Sequence, residues 1–142
     1  MTQDRFIFRG KSIIDGDWVN GFLIQGDSIQ ASEINQGKAF IVDCVGGELE
    51  VCEVDPKTVG QCTGLRDKNG VLIFEGDILK SEDPFLKLCG TVGFGDQNSL
   101  WAGCYYLEGI ENNNLLCNAL EDYDLCVSGN IHEHPDLLKA GA

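Results

Sequence analysis

The sequence predicts a mainly β protein in two linked parts: a β-hairpin subdomain over residues 1–60 and a second β subdomain over 61–142, packed separately or as one compact unit. Three observations predict it. The chain has 142 residues, the size of one ordinary domain or two small ones. Its 43% hydrophobic content is enough to build an interior. Its 18 glycines interrupt short runs of Val, Ile, Leu, Phe and Tyr, while prolines number only three, a pattern of strands joined by tight turns.

In the first part, "RFIFRG" reads as a short strand ending at Gly10. "IIDGDWVNGFLI" carries Asp15-Gly16, a two-residue turn signal between apolar runs, with Trp18, Gly21 and Phe22 on the returning strand. "QGDS" at 25–28 marks a further turn. "KAFIVDCV", Gly46-Gly47 and "ELEVCEV" form a third hairpin pattern. In its second arm Leu49, Val51 and Glu53 share one face, and Glu48, Glu50 and Cys52 the other, so that arm is half exposed at best. Asp55-Pro56 is a helix-start pair: the carboxylate accepts from free N–H groups, and proline at the first helical position loses nothing. Gly60 ends that turn, which connects the two parts.

The second part opens on "TGLRDKNGVLIFEGDILK", residues 63–80. Here "DKNG" separates two strand-like flanks. Asp67 is placed to bond back to the chain, and Asn69 and Gly70 tolerate positive φ. Gly76 permits a bend or bulge after Glu75, and Asp77 is placed to brace it through backbone N–H groups. Asp67, Asn69, Gly70, Glu75, Gly76 and Asp77 therefore read as turn chemistry. The competing reading makes Asp67, Glu75 and Asp77 the carboxylates of a small hydrolase, which needs a cleft and a raised pKa on one partner. Farther on, "GTVGFGD" and "SLWAGCYYLEGI" read as strands, with Trp101, Tyr105 and Tyr106 filling a core or facing another subunit. "LLCNALEDY" fits a strand or a short helix. "DLCVSGNI" closes the set as a strand, and Pro135 in "EHPDLL" starts a helical turn.

The charge narrows the function. With 23 acids against 10 bases, the formal net charge is −13. Like charge disfavours direct contact with nucleic acid or an anionic membrane. Residues 90–129 contain no Lys or Arg to interleave with the aromatics of a base-stacking surface. "MTQDRFIFRGKSII" does not read as a secretory signal, and no run approaches the ~20 apolar residues of a membrane span, so a cytoplasmic location is expected. The seven cysteines contain no C-x-x-C unit, which disfavours zinc, and they read as reduced, packed thiols. His132 and His134 read as surface residues at a corner. No phosphate-binding loop is present; "GFGDQN" lies between strands without a following helix. No metal or cofactor is expected.

Three blocks carry a resemblance: "FRGKSIIDGDWVNGFLI" (8–24), "VDPKTVGQCTGLRDKNGVLIFEGDILK" (54–80) and "VSGNIHEHPDLL" (127–138). In this order the chain resembles the YopX family of small phage and prophage proteins. The middle block is the most specific, residues 82–124 match loosely, and the cysteines lie outside the family's pattern. The resemblance implies a phage or prophage origin in a bacterial host and a mainly β fold, and it brings no catalytic residues. The strands from about 70 to 131 are also similar to an SH3-like barrel. The function expected is a non-enzymatic binding or assembly module that pairs with its own copies or with a phage or host protein. A second expectation is an acidic mimic of DNA that occupies a host nucleic-acid-binding protein, and a third is the hydrolase above.

Overall fold

The computed structural model describes residues 7–25, 37–83, 85, 88–95, 103–109 and 114–137. The chain is mainly β and divides into two compact units, Met1–Cys62 and Thr63–Ala142.

The first unit holds β1 (Phe8–Lys11), β2 (Trp18–Gln25), β3 (Ala39–Val45), β4 (Glu48–Val54) and the start of β5 (Gly60–Arg66). They lie side by side in the order β4-β3-β2-β1-β5, and the pairs β1–β2, β2–β3, β3–β4 and β1–β5 are antiparallel. The β3–β4 hairpin is as the sequence predicts. Its link is Gly46-Gly47, with φ of 59° and 86°, a conformation that side chains with a Cβ resist and that matches the twist of the flanking strands. Alternation along the strands then sends Ala39, Ile41 and Val54 to one face, where Phe8, Val19, Leu23, Cys52 and Val59 pack against them. The Asp55-Pro56 signal gives a single 3-10 turn, Pro56–Thr58, whose first N–H groups are capped by Asp55 Oδ1 accepting from Lys57 N at 3.0 Å.

One turn differs from expectation. Asp15-Gly16 is not a two-residue link, because β1 ends at Lys11 and β2 begins at Trp18. Ser12 leaves β2 to bridge Val54 at the far side of β4, so the chain needs a loop over 12–17 to return. Ile13 and Ile14 are consequently 55% and 85% exposed, not strand residues. The "QGDS" turn at 25–28 lies largely outside the described residues.

The second unit continues β5 and adds β6 (Leu72–Phe74), β7 (Asp77–Ser81), β8 (Cys89–Phe94), β9 (Tyr105–Glu108), β10 (Asn114–Leu115), α1 (Leu116–Asp122) and β11 (Leu125–Asn130). β6 lies beside β5, and the other five strands form an antiparallel sheet in the order β10-β9-β8-β7-β11. Its ends, β10 and β11, do not pair with each other among the described residues, so the expected SH3-like barrel is an open sheet. Ile73, Leu79, Val92, Leu107, Leu116, Ala119 and Leu125 form the core. "LLCNALEDY" resolves as helix α1. Leu116, Ala119, Leu120 and Tyr123 recur at three- and four-residue spacing, which puts them on one stripe facing that core. Pro135 precedes a helical turn at 136–137, and Trp101 lies outside the described residues.

Candidate functional site

The acids of the middle block are built into two separate turns. In the first, Asp67 N–H donates to Val71 O at 2.9 Å and Gly70 N–H donates to Asp67 O at 3.0 Å, closing the "DKNG" loop. Asp67 is 7% exposed. Its Oδ1 accepts from Asn69 N at 2.8 Å and Val71 N at 2.9 Å. Its Oδ2 accepts from Val127 N at 2.8 Å, on β11, and Lys68 N donates to Leu125 O at 3.1 Å on the same strand. An anionic acceptor facing three N–H donors makes short, charge-assisted bonds, so one side chain both shapes the loop and fastens it to a strand far along the chain.

In the second turn, Glu75 is half-buried and Gly76 has φ of 91°. Gly76 N–H donates to Val92 O at 2.9 Å, and its carbonyl accepts from Ile131 N at 3.0 Å. Asp77 is 1% exposed and accepts from Phe74 N at 2.8 Å through Oδ2, so it spans the turn from the far side. Among the described residues no group of three or more His, Cys, Asp or Glu side chains could hold a metal ion. His134 Nδ1 accepts from Asn130 N at 3.3 Å, in the corner that follows β11.

A second cluster was not visible in the sequence. The β7–β11 register sets Lys80 against Cys126 and brings the ends of both strands to the "DKNG" turn. Cys126 S–H donates to Glu82 Oε1 at 2.9 Å, Asn69 Nδ2 donates to Cys126 Sγ at 3.3 Å, and Lys68 Nζ reaches Glu82 Oε2 at 2.7 Å. The hydrogen bond from Cys126, followed by that from Lys68 and its charge, holds the Glu82 carboxyl down at about 2. Burial, then the hydrogen bond to Glu82 and its charge, pushes the Cys126 thiol up to about 11. A thiol held protonated is a poor nucleophile at neutral pH. Six described cysteines carry free thiols, and Cys104 and Cys117 among them are exposed, whereas packed thiols were expected.

The first unit presents a different kind of surface. On the face of its sheet opposite the core, Phe22 pairs with Val42 and Val42 with Val51, while Ile24 pairs with Phe40 and Phe40 with Glu53. Phe22, Ile24, Leu49 and Val51 are 63%, 38%, 75% and 64% exposed. At one corner of this face the Arg9 guanidinium stands 4.7 Å, and Lys11 Nζ 5.9 Å, from the centre of the Trp18 ring.

β4 ends the strand order of this sheet, and among the described residues its outer side is met at its C-terminal end. There Ile13 N donates to Glu53 O at 3.2 Å and Asp55 N to Lys11 O at 2.9 Å. An open cleft of about 510 Å³ lies at this junction, lined by Lys11, Ser12, Lys38, Glu53 and Asp55 among others, with Lys38 Nζ 4.0 Å from Glu53 Oε1. The sequence showed that Leu49 and Val51 share a face; it did not show that Phe22 and Val42 extend that face across three strands.

Residues 7–139 match the family model described as YopX protein. Among solved structures, the chain is similar to the crystal structure of protein EF1440 from Enterococcus faecalis. The two share 25% identity and a TM-score of 0.54, over 92% of this chain and 96% of that one. No curated protein matches. No helix among the described residues is long and apolar enough to cross a membrane.

Proposed function

We propose that this chain, which belongs to the YopX protein family, is a non-enzymatic binding or assembly module of phage or prophage origin that works by protein–protein contact in the host cytoplasm. The observation that carries the reading is the open apolar face of the first unit, where Phe22 on β2 and Leu49 and Val51 on β4 are each more than half exposed and Val42 of β3 lies between Phe22 and Val51. A contiguous apolar patch of this kind marks an interaction surface, because leaving it in water forgoes roughly 25 cal/mol for each Å² that a partner would cover. The partner is a second copy or a phage or host protein. The charge of −13 supports a protein partner over nucleic acid or membrane.

Sedimentation velocity across a hundredfold concentration range, with pull-down from host lysate, tests it. Wild type is expected to associate or capture a partner, and Phe22→Ser/Val51→Ser to lose the contact while melting cooperatively. A monomer at all concentrations that captures nothing, or a capture untouched by the double substitution, would sink the reading.

A further inference from the structure

We propose that β4 accepts an extended segment of a partner protein as an added strand, and that this segment alternates apolar with basic residues. The proposal rests on the binding-module reading and names the partner's chemistry. Its first support is the direction of the backbone. In a strand, successive residues turn their N–H and C=O groups to opposite sides, and alternate residues to the same side. Glu53 O and Asp55 N bond outward, to Ile13 and Lys11. Val51 and Leu49 therefore aim their N–H and C=O groups the same way, where no described residue meets them. The antiparallel ladder that begins at the Ser12–Val54 bridge is thus unfinished over Glu48–Cys52. An extended peptide can complete it through main-chain hydrogen bonds.

The side chains set the pattern. A residue added opposite Leu49 or Val51 falls on the open face, beside two apolar side chains that are 75% and 64% exposed. A residue added opposite Glu48 or Glu50 falls on the other face. There Glu50 is paired directly with Asp43, and both line an open hollow of about 300 Å³. Glu48 and Glu50 are both exposed on that face, and a Lys or Arg side chain set opposite them meets opposite charge. Electrostatic complementarity then selects the partner. A second copy is a poor occupant of this edge: a β4–β4 pairing centred on Leu49 or Glu50 sets glutamate against glutamate, between chains that each carry −13.

Fluorescence anisotropy on the full chain tests this with three labelled synthetic heptapeptides: alternating Lys and Val, the same residues in separated blocks, and alternating Glu and Val. The alternating basic peptide is expected to bind at least about tenfold more tightly than the other two. Val51→Pro, which removes an outward N–H at an edge where proline is tolerated, is expected to weaken it by about tenfold. Glu48→Lys/Glu50→Lys, at two exposed positions, is expected to transfer the preference to the acidic peptide. Equal binding of the block isomer, indifference to Val51→Pro in a folded variant, or no transfer of preference overturns strand addition. If the peptides fail while Phe22→Ser/Val51→Ser still abolishes a wild-type pull-down, strand addition falls and the binding-module reading stands. If neither binds, both fall.

Discussion

Replacing Asp67 removes an acceptor shared by three backbone donors, and the size of the loss follows from their geometry. Asn69 N, Val71 N and Val127 N stand 2.8, 2.9 and 2.8 Å from its carboxylate, on a side chain 7% exposed. Hydrogen bonds to a charged partner contribute about 1.5–3 kcal/mol each, and the turn donors regain part of that from water. Asp67→Ala is therefore expected to cost about 3–5 kcal/mol, a large share of the roughly 5–15 kcal/mol that stabilises a domain. Asp67→Asn separates the two roles. Its amide oxygen can still accept from Asn69 and Val71, but its NH₂ group then faces the Val127 N–H, at a cost of about 1.5–3 kcal/mol. Urea unfolding gives the totals, and amide exchange read by NMR gives the distribution. Asn should lose protection at Val127 alone, whereas Ala should lose it at Val127, Val71 and Asn69. A cost below 1 kcal/mol for Asp67→Ala, or full Val127 protection in Asp67→Asn, would refute the account of this turn.

Three further outcomes are expected. Gly47→Ala, at φ of 86°, should destabilise by about 1–2 kcal/mol in thermal melts, while Gly46→Asn, at φ of 59°, should be near neutral because Asn-Gly suits this turn. Gly90→Ala would place a Cβ 2.7 Å from Glu108 O and 2.8 Å from Leu107 Cγ, so a loss of roughly 2 kcal/mol or more is expected from calorimetry, with exposed Ile14→Ala as the neutral control. Cys126, raised to about 11 from an ordinary 9.0, should carry about a hundredfold less thiolate at pH 8 and react with iodoacetamide more slowly than exposed Cys104 and Cys117, and Glu82→Gln should speed it. The sign of its linkage follows: the raised thiol adds stability at pH values below 9 that fades as pH climbs toward 11, whereas lowered Glu82 adds stability above its ordinary 4.5 that is lost as pH falls toward 2.

What could be read from sequence was local. Gly46-Gly47, Asp55-Pro56 and "DKNG" each carry their own turn chemistry within a few residues, and each appears in the structure as a turn. Features set by distant pairing were out of reach. Ser12 bridges Val54, which turns an Asp-Gly hairpin signal into a longer loop. Asp67 bonds Val127 across 60 positions, and Cys126 meets Glu82 across 44. No spacing rule links such positions. Helix α1 is an intermediate case: the spacing of Leu116, Ala119, Leu120 and Tyr123 is present in the sequence, but it is too short to exclude a strand until the core it faces is known. The open face was half legible, because alternation assigns Leu49 and Val51 to one side without saying which strands lie beside them.

The position of β7 between β8 and β11 has a consequence for how the protein is made. Every strand of the first unit has left the ribosome once β5 emerges, but β7 waits for a neighbour that ends at Asn130. At 5–20 residues per second, roughly 2–10 s separate the synthesis of Ser81 from that of Asn130. Through that interval Ile78 and Leu79, fully buried at the end, lie on a strand with one side unpaired, and Asp67 lacks the donor that fastens its turn. The nascent second half is therefore the part of this chain whose sheet stays unfinished longest.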